Sequence, residues 1–178
     1  SPRGRWASFA WGAAEASFFF LVPDILLSYV ALMAPRRMWG HLAAAMVGAL
    51  IVGALMFQWS TSTPRARALV AEVPRVSPWM FTQADDHFRA HGALGAVFGP
   101  ARGIPYKIYA VQAPEHAITL GSFVAASVPA RLWRMLATVL VFAGIGMALR
   151  KFGKMRWALP LHVVFWVGSV TAYWLSIG

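Results

Sequence analysis

The chain has 178 residues, of which 59% are apolar and 12% charged, with a mean hydropathy of +0.59. A soluble domain carries about twice that charge and fewer apolar residues, so a soluble globular enzyme and a disordered chain are both disfavoured. Sixteen Lys and Arg against six Asp and Glu give a net charge of +10, and the absence of cysteine removes disulfides, thiol nucleophiles and thiolate metal sites. The basic residues lie between apolar runs, which is the positive-inside pattern of a membrane protein rather than a nucleic-acid footprint. The chain opens on Ser1 rather than Met, as expected of a processed or trimmed polypeptide.

The first apolar stretch, residues 6–34, contains Glu15, Pro23 and Asp24. Proline cannot continue a helix without losing a hydrogen bond, and an adjacent Asp favours a turn or cap. The stretch therefore reads as a broken, re-entrant hairpin. Residues 42–59 form a charge-free run long enough to span a bilayer. Residues 60–91 form a polar connection that begins with the breaker cluster Ser60-Thr61-Ser62-Thr63-Pro64. Within it, residues 67–73 suit a short interfacial helix, and residues 79–89 an amphipathic helix lying on the membrane.

Residues 92–130 are apolar in patches, interrupted by Gly99-Pro100, Gly103, Pro105, Lys107 and Pro114-Glu115-His116. They read as a second re-entrant hairpin. Residues 131–149 form a span only if Arg131 and Arg134 belong to it, and residues 157–178 form a last span with His162 as its one ionisable group. The expected fold is an all-α polytopic membrane protein in one domain, with two re-entrant hairpins and about three full transmembrane helices.

The cluster Arg150, Lys151, Lys154, Arg156 has no acid nearby and marks the cytoplasmic side. Threading the chain from there puts Arg3, Arg5, Arg36 and Arg37 inside as well. The first hairpin then enters from inside and the second from outside, each followed by a full span. Arg65, Arg67 and Arg75 in the outer connection run against this charge pattern. Broken hairpins from opposite faces are the layout of an inverted repeat, in which transporters place their substrate site at the midplane.

Glu15 and Asp24 are the acids of the first hairpin. A carboxyl at the bilayer centre is expensive, so it is expected to face the interior and to pair with a cation or a proton. The alternative puts Glu15 at the interface and makes Asp24 a helix cap. Arg131 and Arg134 share a helix face and suit either the two acids or a phosphate; the alternative is snorkelling, for Arg131 above all. Arg102 and Lys107 flank a Gly/Pro break and suit an anion site at a hairpin tip, or a turn facing headgroups. His87 and His91 have helical metal-ligand spacing without further ligands, so no metal is expected, and His116 beside Glu115 is no stronger. Steps of small residues at 44/48, 49/53 and 144/148 allow close helix packing. No nucleophile elbow, phosphate-binding loop, dinucleotide fingerprint or zinc-protease motif occurs, so no enzyme and no cofactor is expected.

Trp11-Gly12-Ala13-Ala14-Glu15 with Val22-Pro23-Asp24 and Leu26-Leu27 resembles the first re-entrant segment of the DedA family, membrane proteins with the SNARE-associated or VTT domain. Phe88-Arg89-Ala90-His91-Gly92 and Arg102-Gly103-Ile104-Pro105-Tyr106-Lys107 resemble the family's amphipathic lead-in and second re-entrant turn. Phe123, Ala130-Arg131 and Arg134 resemble the segment holding its functional arginines. The chain departs from the pattern where Pro23 is followed directly by Asp24, without the usual glycine, and looks like a compact, divergent member.

The resemblance implies lipid transport, as a flippase or scramblase, in the inner membrane of a prokaryote. The implied partners are the bilayer, an anionic headgroup of a polyprenyl phosphate or phospholipid, and protons, with a homodimer left open and no nucleic acid. In that scheme Arg102, Lys107, Arg131 and Arg134 bind phosphate, while Glu15 and Asp24 exchange a proton. The rival readings are a non-catalytic assembly factor and, behind it, a lipid-phosphate enzyme using the histidines.

Overall fold

A computed structural model describes residues 2–17, 23–74 and 76–177. Val22 of the expected first turn and Arg75 of the outer connection lie outside the described residues. Helix is the one regular structure among the described residues. Eight α-helices occur: α1 Pro2–Ala16, α2 Asp24–Met33, α3 Met38–Ser62, α4 Ala66–Ala71, α5 Pro78–His91, α6 Tyr106–Gln112, α7 Leu120–Lys151 and α8 Ala158–Ile177. A 3-10 segment, Gly92–Arg102, links α5 to α6.

Two helical stretches, Pro35–Ser62 and Leu120–Lys151, are long and apolar enough to cross a membrane. At 1.5 Å per residue, α3 and α7 extend about 38 and 48 Å, against a hydrocarbon core of about 30 Å. They run antiparallel. Phe57 stacks on Phe123 at 5.5 Å between centroids, while Leu42 and Met46 share a buried cluster with Met135, Val139 and Phe142. Their outward faces stay apolar, with Leu55, Val141 and Met147 about 60% exposed.

The short helices stop partway along the long ones. Ser8 pairs with His41 and Gly12 faces the Ala45 backbone, so α1 runs with α3 and ends near its middle. α2 returns along the second half of α7: Asp24 meets Arg134 and Thr138, and the Leu32 carbonyl meets Gly146 and Arg150. α6 starts where the Tyr106 ring covers Gly53, then follows the second half of α3 toward α4 and α5. The order short arm, return arm, long helix thus occurs twice, and each return arm packs on the other unit's long helix.

Glycine makes the α1–α3 contact possible. A Cβ on Gly48 would occupy the place of the Phe9 carbonyl, and one on Gly12 that of the Ala45 carbonyl. The step at 144/148 behaves differently: nothing lies within 4 Å of a Cβ on Gly144, and Gly146 makes the close approach instead. Gly48→Ala will therefore destabilise the protein by about 1–3 kcal/mol, the usual range for overpacking. Gly144→Ala will not, and thermal unfolding in detergent compares the two.

Three expectations change. The boundary placed at residue 131 falls inside one continuous helix, because α7 runs through Pro129. Neighbouring helices make such a proline tolerable in an apolar span. The segment that precedes α7 accordingly ends near His116. The apolar stripe of α5, comprising Met80, Phe81, Ala84 and Phe88, is buried against the 3-10 segment and α6 rather than laid outward. Arg67, one of the misplaced outer cations, pairs with Glu115 at 2.7 Å and Asp85 at 3.4 Å, so its charge is balanced locally.

The two ends differ in net charge. Arg3, Arg5, Arg36, Arg37, Arg150, Lys151, Lys154 and Arg156 occupy the end where α1, α3 and α8 begin and α7 finishes. Glu72, Asp85, Asp86 and Glu115 lie at the opposite end, together with Arg65, Arg67 and Arg89 and with the histidines of α5 and residue 116. Glu15 and Asp24 lie in neither group.

Candidate functional site

α7 carries Ser127, Arg131, Arg134 and Thr138 at helical spacings of four, three and four. That spacing puts all four on one face. The face looks at the end of α1, the start of α2 and the start of α6, about midway along α3.

Glu15, in the last turn of α1, accepts a hydrogen bond from Arg131 in a buried ion pair. Asp24, in the first turn of α2, pairs with Arg134 and accepts from Thr138 Oγ1 at 2.8 Å. A buried charge is tolerated when it is paired and its remaining valences are bonded. Arg131 is 3% exposed and Arg134 24%, so the second pair is the more open of the two. The Arg131 Nε has no hydrogen-bond partner among the described residues.

α6 supplies the third wall. The Arg131 guanidinium lies 4.5 Å from the centroid of the Tyr106 ring, which also stacks on Phe123. The Tyr106 hydroxyl donates to Ser127 Oγ at 2.7 Å. Next to it, Lys107 is 2% exposed, and its charge acts on Glu15. Tyr106 thus fixes the plane of Arg131 from below while Glu15 holds one end. Tyr106→Phe removes only the hydroxyl bond and is expected to destabilise by about 1 kcal/mol. Tyr106→Leu removes the ring face as well, adding about 1–2 kcal/mol for a desolvated cation–π contact. Unfolding of both variants in one detergent series checks the order.

Five of the six expected site residues therefore meet: Glu15, Asp24, Lys107, Arg131 and Arg134. Arg102 does not. It is exposed at the end of the 3-10 segment, and its charge is felt by His87 instead. Arg131 turns inward rather than snorkelling, because Glu15 and the Tyr106 ring receive it there. Tyr106, Ser127 and Thr138 join the site without having been expected. The last two were readable from the stripe they form with the two arginines; Tyr106 was not, since only the packing of α6 on α7 brings it under Arg131.

The histidines lie elsewhere. His87 Nδ1 is 2.7 Å from the Tyr109 hydroxyl, and burial, with Arg102 and His91 nearby, holds its imidazole below the usual pKa against the pull of Asp86. His91 packs on Phe98, and His116 Nε2 is 2.9 Å from Asp85 rather than paired with its neighbour Glu115. His162 is 2.9 Å from Ser28 Oγ, between the rings of Tyr29 and Phe142. Among the described residues no three metal-binding side chains come together.

No family model, curated protein or solved structure matches the chain.

Proposed function

We propose that this protein moves an anionic, phosphate-bearing lipid across a bilayer. One observation carries the reading. Arg131 and Arg134 pair with Glu15 and Asp24 in one largely buried site, with Lys107 buried beside them. Arginines that hold carboxylates can hold a phosphate in the same way, and intramembrane ionisable groups mark transport pathways by default.

The surroundings support the same reading. α3, α7 and α8 serve as the spans. α1 with α2, and the 3-10 segment with α6, serve as re-entrant hairpins entering from opposite faces. The basic end faces the cytoplasm, and the duplicated order of arms and long helices is what an inverted repeat requires. The resemblance to the DedA family, in the inner membrane of a prokaryote, agrees with this layout. In the cycle, phosphate competes with the carboxylates for Arg134 first, because that pair is the more open, and then for Arg131. Proton binding to the displaced Asp24 and Glu15 lowers the energy of the displaced state.

A second reading has its own support. Both carboxylates are fully engaged by arginines, as expected of pairs that fix helix register in an assembly factor. Liposomes holding the purified protein separate the readings. Transport predicts that polyprenyl phosphate and phosphatidic acid equilibrate between leaflets faster than in empty vesicles. Folded protein that leaves both lipids at the empty-vesicle rate overturns the transport reading.

A further inference from the structure

Two turns meet at the basic end. The first joins α2 to α3 and carries Arg36 and Arg37; the second joins α7 to α8 and carries Lys154 and Arg156, just after Lys151. Arg150 fastens them. Its Nη2 donates to the Leu32 carbonyl at 2.9 Å and to the Met33 carbonyl at 2.8 Å, so the end of α7 lies on the end of α2. Met38 and Ala158, the first residues of α3 and α8, share one buried cluster, against which Leu149 and Met155 also pack. Arg36, Arg37, Lys151, Lys154 and Arg156 therefore belong to one corner of the molecule, and all five are exposed.

No acidic side chain accompanies them. The six acids of the chain are Glu15 and Asp24, paired midway along α7, and Glu72, Asp85, Asp86 and Glu115 at the other end. Like charges held together by the packing of four helices repel, and a bound anion relieves that repulsion. The surroundings place the anion at a bilayer surface. Trp39, Phe152 and Trp157 stand among the cations, half or more exposed, and the Arg156 guanidinium lies 5.9 Å from the centroid of the Trp157 ring. Tryptophan sits well at headgroup level. Within about one or two turns, Met147, Leu159 and Leu161 present exposed apolar surface. Hydrocarbon covers such a surface, whereas a nucleic acid or an acidic protein on the cations would leave it in water.

We infer that the paired turns bind the phosphate headgroups of anionic lipids in the leaflet at the basic end, as a lipid site separate from the buried ion pairs. Along α7, Arg150 lies sixteen residues beyond Arg134, about 24 Å at 1.5 Å per residue. A lipid held at the turns does not need to cross, so the inference stands apart from the transport reading. Its strength scales with charge, because each Lys or Arg near a membrane surface contributes about fivefold in affinity.

The test is native mass spectrometry of the purified protein in detergent micelles holding equal amounts of phosphatidylglycerol and phosphatidylcholine. The wild type is expected to retain phosphatidylglycerol at least about tenfold over phosphatidylcholine, and raised salt is expected to lower that preference. The variant Arg36→Gln, Arg37→Gln, Lys154→Gln, Arg156→Gln removes four exposed cations and leaves Arg150 on its carbonyls. Its preference is expected to fall at least about fivefold, with circular dichroism unchanged. Whatever the buried pairs bind is common to both proteins and cancels in the comparison. Arg36→Lys, Arg37→Lys, Arg156→Lys keeps the charge and is expected to keep the preference. Equal retention of the two lipids by the wild type overturns the site, as does a preference that survives both raised salt and the glutamine substitutions. Equal retention together with binding of a single-stranded oligonucleotide also overturns it and gives the corner to nucleic acid. Each of these results leaves the transport reading to its own translocation assay.

Discussion

Glu15→Gln will destabilise the protein by about 3–5 kcal/mol, the usual result of stranding one member of a buried ion pair. The substitution keeps the size and one acceptor of the side chain. It leaves the Arg131 guanidinium and the Lys107 ammonium in one buried site without the carboxylate between them. Arg131 cannot escape to water from where it lies, because it is 3% exposed and seated on the Tyr106 ring. The double variant Glu15→Gln, Arg131→Gln removes both charges and is expected to recover most of the loss. A cycle of four proteins unfolded in the same detergent measures the coupling. Additive effects would mean that the two groups do not depend on each other, contrary to the geometry.

Asp24→Asn behaves differently because Arg134 is more open. Asparagine retains an acceptor for Thr138, and Arg134 is less tightly enclosed than Arg131, so the expected stability loss is smaller, about 1–2 kcal/mol. If the proposed transport function holds, the larger effect falls on translocation: without the carboxylate, Arg134 would hold phosphate with nothing to displace it, and the site would lose the group proposed to take the proton. Translocation of polyprenyl phosphate is expected to fall by at least about tenfold, equivalent to about 1.4 kcal/mol in the barrier. Headgroup binding should tighten, not weaken. A variant that binds less and moves lipid at the wild-type rate would place Asp24 outside the pathway.

The all-helical class, the two long apolar helices and the meeting of five charged residues were legible because membrane burial leaves few solutions. Apolar length fixed α3, and intramembrane charge required Glu15 and Asp24 to find partners. The boundary near residue 131 was misread for a local reason. Pro129 and Arg131 look like the end of a broken segment, yet neighbouring contacts carry α7 through both. Arg102 was grouped with Lys107 by proximity in sequence, but the left-handed turn at Gly103 separates them. Arg102 ends one arm facing outward, and Lys107 begins the next facing in. α5 was taken for a surface helix because its stripe is amphipathic. Amphipathicity says that one face is covered, not whether lipid or protein covers it.

In the proposed mechanism the buried carboxylates and arginines form a transport site whose proton occupancy changes as an anionic lipid binds and leaves. Lipid translocation in liposomes with an imposed pH gradient, comparing the wild type with Asp24→Asn, tests it most directly. The gradient is expected to accelerate wild-type translocation of polyprenyl phosphate and to leave the variant at its reduced rate. Equal rates for both proteins, with and without the gradient, would contradict it and leave the ion pairs as fasteners between helices.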